Sequence, residues 1–236
     1  MKDQYFGDIN DYRKYALLRL LSCGGSVPMM VCWMLTEGDR RSDGSRVGYL
    51  RDPISYAGLD PGLFWTLREL LLLGRRSVSE AKKHRLVPRA TYWERKIQNR
   101  SRDEYFRDLH SSARSSASRL IFFDPDNGME VKSVPKSRSG SIKYLYWDEA
   151  TSFFLEGFSI LVYQHFPRVS RGPYIERLAL EFRSRTGAKT LISFETSTVV
   201  YLLASQESDS QHFARAVEHH RKRLGCHFSI TNHHPR

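Results

Sequence analysis

Four places in the chain put polar, chemically capable side chains directly after apolar runs. The most specific is Ile121-Phe122-Phe123-Asp124-Pro125-Asp126-Asn127-Gly128, where two carboxylates and an amide follow a continuous apolar stretch. A residue that precedes proline is held extended, because the ring clashes with a helical conformation there, and this aims the Asp124 side chain out of the sheet. Asp-Pro-Asp-Asn-Gly is also turn composition for purely local reasons; the apolar strand in front is what favours a site. The second place is Tyr163-Gln164-His165, with Pro167-Arg168 beyond it, where His165 could serve as a general base or a phosphate contact. The others are Thr36-Glu37-Gly38-Asp39 and Glu195-Thr196-Ser197. Near the start of the chain, Asp8, Asn10, Asp11 and Lys14 crowd the beginning of a helical pattern, although one cap acceptor would suffice there. Asp11 and Lys14 stand at i, i+3 and can pair.

A second group of residues is cationic. Arg40-Arg41 with Arg46, Arg75-Arg76, Lys82-Lys83 with Arg85, Lys136 with Arg138, Arg168, and residues 219–223 form separate basic clusters. Any one of them alone reads as a solvated face. Together they suit a phosphate backbone, with Tyr92 and Trp93 as interleaved stacking surfaces. Across the chain, 37 Lys and Arg against 26 Asp and Glu give a net charge of +11, and a balance this basic points to a polyanion such as nucleic acid.

The elements that must position these residues follow from periodicity. Residues 5–21 carry Tyr12, Tyr15, Leu18 and Leu21 at helical spacing after Asn10 or Asp11 as N-cap. Residues 27–35 form a buried strand, and a long polar loop follows. Asp60-Pro61 opens a helix over residues 60–73 that closes at Gly74. The basic stretch 75–96 and a helix over 101–117 read as a basic helical insertion. Further on, strands are expected at 120–123, 158–163, 189–195 and 226–231, and helices at 142–156, 174–186 and 210–224. This alternation predicts one α/β domain over residues 1–236, with a mainly parallel sheet covered by helices on both faces. In such a sheet, ligands bind beyond the carboxyl ends of the strands, where the four polar segments lie.

Three cysteines, Cys23, Cys32 and Cys226, are too few and too scattered for a disulfide framework or a closed zinc site, and read as reduced, buried thiols. No stretch approaches the roughly 18 apolar residues of a membrane span, and the chain opens without an apolar leader, so a cytoplasmic location and no membrane partner are expected.

Three segments together resemble a known family. GDINDYRKYALLRLL resembles the opening helix of the large-subunit ribosomal-RNA adenine-N6 methyltransferases. FFDPDNG resembles their strand end bearing Asp-Pro-Pro-aromatic, and GFSILVYQHFPR their next core strand. A looser similarity extends to the three-Cys-motif partner proteins of the same fold. The resemblance implies a Rossmann-like, methyltransferase-type fold and S-adenosylmethionine as cofactor. It implies that Asp8, Asp11, Lys14, Thr36, Gly38, Asp39 and Pro125 hold that cofactor, and that Asp124, Asp126, Asn127 and His165 do the chemistry on a nucleic-acid base. The sequence departs from the family pattern where Asp126 replaces the second proline and Asn127 the aromatic, and where Gly38 stands alone in place of a glycine-rich turn. Two other classes therefore stay open. Asp124 and Asp126 are hard oxygen ligands that could hold Mg²⁺ or Mn²⁺ for hydrolysis of a phosphodiester or a nucleotide, or the chain could bind nucleic acid without catalysis.

Overall fold

Short apolar runs alternate with amphipathic segments along the chain, and in the computed structural model, which describes residues 2–37 and 44–234, they assemble into one mixed sheet. Its strands are β1 (Met29–Cys32), β2 (Ala90–Trp93), β3 (Leu120–Phe123), β6 (Ser159–His165), β7 (Thr190–Glu195), β8 (Val199–Ser205) and β9 (Ser229–His233); a separate pair joins β4 (Gly128–Met129) to β5 (Tyr144–Leu145). The order in space is β2-β1-β3-β6-β8-β7-β9. From β2 to β6 all neighbours run parallel, whereas β6-β8, β8-β7 and β7-β9 are antiparallel. The expectation of a mainly parallel sheet thus holds for one half.

The helices are α1 (Ile9–Leu21), α2 (Pro53–Tyr56), α3 (Pro61–Leu72), α4 (Ser79–Lys83), α5 (Arg102–Ser115), α6 (Trp147–Leu155), α7 (Arg171–Thr186), α8 (Glu207–His219) and α9 (Arg221–Gly225). Alternation along the strands divides the core in two. Met29, Val31, Leu120, Phe122 and Leu161 face α1, α3 and α8, and Met30, Cys32, Ile121, Phe123 and Ile160 face α5, α6 and α7. Helix α1 is apolar around most of its circumference, with Tyr12, Tyr15, Leu17, Leu18 and Leu21 fully buried. A helix of that kind belongs inside the protein, and its polar first turn is carried inside with it.

Several expectations are corrected here. The N-cap of α1 is Asp8, whose carboxylate accepts from the backbone N–H of Asn10 and Asp11, rather than Asn10 or Asp11. Segment 75–117, expected as a helical insertion, contributes strand β2 to the sheet edge. Glu195 ends β7, as expected of that strand end, but a hairpin follows it into β8: the Thr196 hydroxyl oxygen accepts from the N–H groups of Thr198 and Val199. Among the thiols, Cys32 is buried but Cys226 is exposed. Among the described residues, no helix is long and apolar enough to cross a membrane.

Candidate active site

The chain leaves β1 toward β2 on one side and leaves β3 toward β6 on the other, so the connections diverge and a crevice opens beyond the carboxyl ends of β1 and β3. The first turn of α1 projects into this crevice. Asp8 caps it at 2.8 and 2.9 Å, and one turn further in, the Asp11 carboxylate accepts from the Gly7 backbone N–H at 3.1 Å. The next turn brings Lys14, whose Nζ lies 2.5 Å from Asp11 Oδ1 and 2.8 Å from Asp124 Oδ2. Lys14 and Asp124 are 110 residues apart in sequence. All of these side chains are withdrawn from solvent: Lys14 is 2% exposed, Asp8 and Asp11 3%, and Asp124 4%.

Burying charge to this depth is unfavourable unless partners compensate. Burial alone would lower the Lys14 pKa, but Asp11 and Asp124 outweigh it and hold the ammonium well above its ordinary range. Burial pushes Asp11 up to about 7, with Asp8 and Asp124 adding to the shift against the opposing pull of Lys14. Asp8 is likewise raised by burial, although its backbone hydrogen bonds and Lys14 oppose the shift. Lys14 thus pairs with two buried carboxylates while Asp8, also influenced by Arg46, lies close by, and burial in this company holds the Asp11 carboxyl above its ordinary range.

The β3 end is held from both sides. The Asp124 N–H donates to the Cys32 carbonyl at 3.0 Å, extending the β1-β3 pairing, and Pro125 is buried behind it. The Thr36 hydroxyl donates to Asp126 Oδ2 at 2.8 Å, tying the turn to the segment after β1. Burial would raise the Asp126 pKa, yet Thr36 and Lys2 are among the groups that keep it below the ordinary value. The turn is closed by Gln164, whose Oε1 accepts from the Met129 N–H at 2.7 Å and whose Nε2 donates to the Asn127 carbonyl at 3.3 Å. Gly128 sits at φ +103°, and a Cβ there would come within 2.3 Å of the Gln164 amide, so only glycine lets that amide approach.

Strand β6 completes the wall. Alternation puts Tyr163 and His165 on the same side, their rings 5.5 Å apart and edge to face. Partial desolvation and the charge of Arg46 lower the His165 pKa, which favours the neutral imidazole, while burial raises the Tyr163 phenol well above its usual range. Together these groups enclose a cavity of about 420 Å³ that is lined by Tyr5, Asp8, Asp11, Lys14, Arg46, Asp124, Pro125, Asp126, Tyr163 and His165, among others.

Of the residues singled out from sequence, Asp8, Asp11, Lys14, Asp124, Pro125, Asp126 and His165 therefore meet in one place. Thr36 is joined to Asp126 but lines a neighbouring cavity with Lys96 and Lys143. Asn127 does not line this cavity and engages through its backbone. Gly38, Asp39, Arg40 and Arg41 lie outside the described residues. Glu195 borders a different groove, with His227 and Ser229.

The basic residues are dispersed. Arg75, Arg138 and Arg168 are exposed. Arg76 donates to the Phe6 and Gly44 carbonyls, while Lys82 and Lys83 pair with Glu94 and Glu80. Lys136 pairs with Asp148 and Glu149. Tyr92 stacks on Trp33 within the fold, and Trp93 meets Tyr105 edge to face, so these rings pack inside β2's surroundings.

Sequence reasoning named Gln164 at this strand end without a function for its side chain, and gave Tyr163 none. The signal was present in both cases: Tyr163 shares the period-2 face of His165, and a glycine after Asp-Asn implies something close to the turn.

A divalent cation does not fit this arrangement. The Lys14 ammonium fills the space between Asp11 and Asp124, Asp126 is turned to Thr36, and among the described residues no three His, Cys, Asp or Glu side chains are grouped to hold a metal. Compared with known proteins, the chain matches no family model and no curated sequence.

Proposed function

We propose that the chain is a nucleic-acid-modifying enzyme on a Rossmann-like, methyltransferase-type frame, transferring a methyl group from S-adenosylmethionine to an exocyclic amine of a base. The observation that carries this reading is the concentration of carboxylates in the crevice of a chain whose net charge is +11. An acidic pocket disfavours a polyphosphate and favours a ligand bearing cationic and hydroxyl groups, whereas the basic exterior favours a polyanion. S-adenosylmethionine is a sulfonium with an ammonium, two ribose hydroxyls and one carboxylate. Asp8 and Asp11 would receive its donors and Arg46 its carboxylate, and about 420 Å³ lies within the range of small-molecule sites.

When bound, the cofactor supplies an electrophilic methyl group. The chain's own part is to orient the acceptor. Asp124, fixed by Lys14 and by its backbone bond to β1, together with the Pro125 carbonyl accepts hydrogen bonds from the amine and directs its lone pair. Tyr5 and Tyr163, which line the cavity, offer rings for a base in place of the aromatic absent after Pro125. Neutral His165 at the cavity wall can take up the proton that the amine releases.

The test is calorimetric titration with S-adenosylmethionine and S-adenosylhomocysteine, followed by transfer of labelled methyl to RNA and DNA. Saturable heat with both compounds, and transfer abolished in Asp124→Ala, is the expected result. No heat and no thermal shift at millimolar concentration would sink the transferase reading.

A further inference from the structure

The far end of α1 from the crevice borders a second cavity, of about 550 Å³, between α1, α8, α9 and the start of α3. Its charge is opposite to that of the crevice. Arg19, Arg215 and Arg223 line it with His212, His219 and His220, and the one carboxylate present, Asp60, is already committed. Asp60 Oδ2 lies 2.5 Å from Arg19 Nε, and its Oδ1 caps α3 by accepting from the Leu63 N–H at 3.0 Å. Among the described residues, no carboxylate pairs with Arg215 or Arg223, and Arg223 Nε is buried without a hydrogen-bond partner. Arg215 is exposed and Arg223 half-buried at the groove, and guanidinium groups that face a groove without an ionic partner suit an anionic ligand.

We infer that this groove is a binding surface for the phosphodiester backbone of nucleic acid. His212, Arg215 and His219 stand at i, i+3 and i+7 on one face of α8, and Arg223 follows on α9. At 1.5 Å per residue the row on α8 covers about 10 Å, long enough to meet more than one phosphate of a strand. No Phe, Tyr or Trp is among the described residues that line the groove, and its Arg and His side chains suit contacts to the phosphate backbone, which position the polymer. The inference rests on the nucleic-acid half of the proposed function and adds to it a site remote from the chemistry.

The experiment is fluorescence anisotropy with short labelled RNA and DNA oligonucleotides on the full chain, from about 50 to 200 mM salt, with circular dichroism to confirm folding. Arg215→Gln with Arg223→Gln is expected to weaken binding roughly tenfold or more and to make the log–log salt dependence shallower by about one to two. Arg107→Gln with Arg177→Gln, equal in charge but away from the groove, is expected to lose less, and inorganic pyrophosphate is expected to compete weakly. Equal losses in both double variants, or unchanged affinity in the groove variant while the wild type binds, overturns the groove alone. A wild-type chain that takes pyrophosphate but no oligonucleotide overturns the groove together with the nucleic-acid reading, whereas cofactor binding in the crevice is read separately by calorimetry.

Discussion

Replacing Asp11 by asparagine keeps the side-chain shape and removes one negative charge from a site where the buried Lys14 ammonium pairs with two buried carboxylates, with Asp8 close by. Burial moves the Asp11 carboxyl from 3.8 to about 7, so the folded protein holds this proton more tightly than the unfolded chain does. The resulting stabilisation is complete below about pH 4, where both states are protonated. It is lost as pH rises from about 4 to about 7, because the unfolded chain releases its proton while the folded state retains it. Over that window the change amounts to at most about 4 kcal/mol for a shift of this size. In Asp11→Asn the contribution is absent at every pH. The stability of wild type minus variant should therefore fall by up to about 4 kcal/mol between roughly pH 4 and pH 8. Urea denaturation followed by the fluorescence of the four tryptophans, one of which, Trp33, is fully buried, measures both proteins across this range. A difference that stays flat, or that grows with pH, would show that Lys14 keeps Asp11 ionised and that burial does not dominate the site.

Two further substitutions test how the site is held. Lys14→Met leaves Asp11 and Asp124 buried without their cation and should lower stability by about 3–5 kcal/mol, with part of the loss recovered when Asp124→Asn is added; a midpoint shift in urea below about 1 kcal/mol would contradict the buried triad. Gly128→Ala forces a side chain into the left-handed region and into the Gln164 amide, and should cost about 1–3 kcal/mol; an unchanged Tm would contradict the packing of that turn.

Much of the site was legible because strand ends announce themselves. Apolar Ile121-Phe122-Phe123 running into Asp124-Pro125 located both β3 and its catalytic candidate, and Tyr163-Gln164-His165 did the same for β6. The start of α1 was legible as an excess of polar groups over what capping requires. Its partner was not, because the Lys14 to Asp124 contact spans the whole first half of the fold and no local pattern encodes it. The edge strand Ala90–Trp93 was hidden by basic neighbours, since its residues are only half-buried and show no clean alternation. Strand β8 was missed for the opposite reason: all seven of its residues are buried, so it reads as an apolar run with no period. The antiparallel half of the sheet went unread with it, because the hairpin at Thr196 reverses the chain where a crossover would have kept it parallel.

The proposed enzyme stands or falls on whether the acidic crevice takes a sulfonium nucleoside. Calorimetric titration of the wild type and of Asp8→Ala with S-adenosylmethionine tests this most directly. Saturable binding to the wild type, weakened at least roughly tenfold by loss of the Asp8 carboxylate, is the predicted result. Binding that is absent in the wild type, or present and indifferent to Asp8, would contradict the assignment of the crevice as the methyl-donor site.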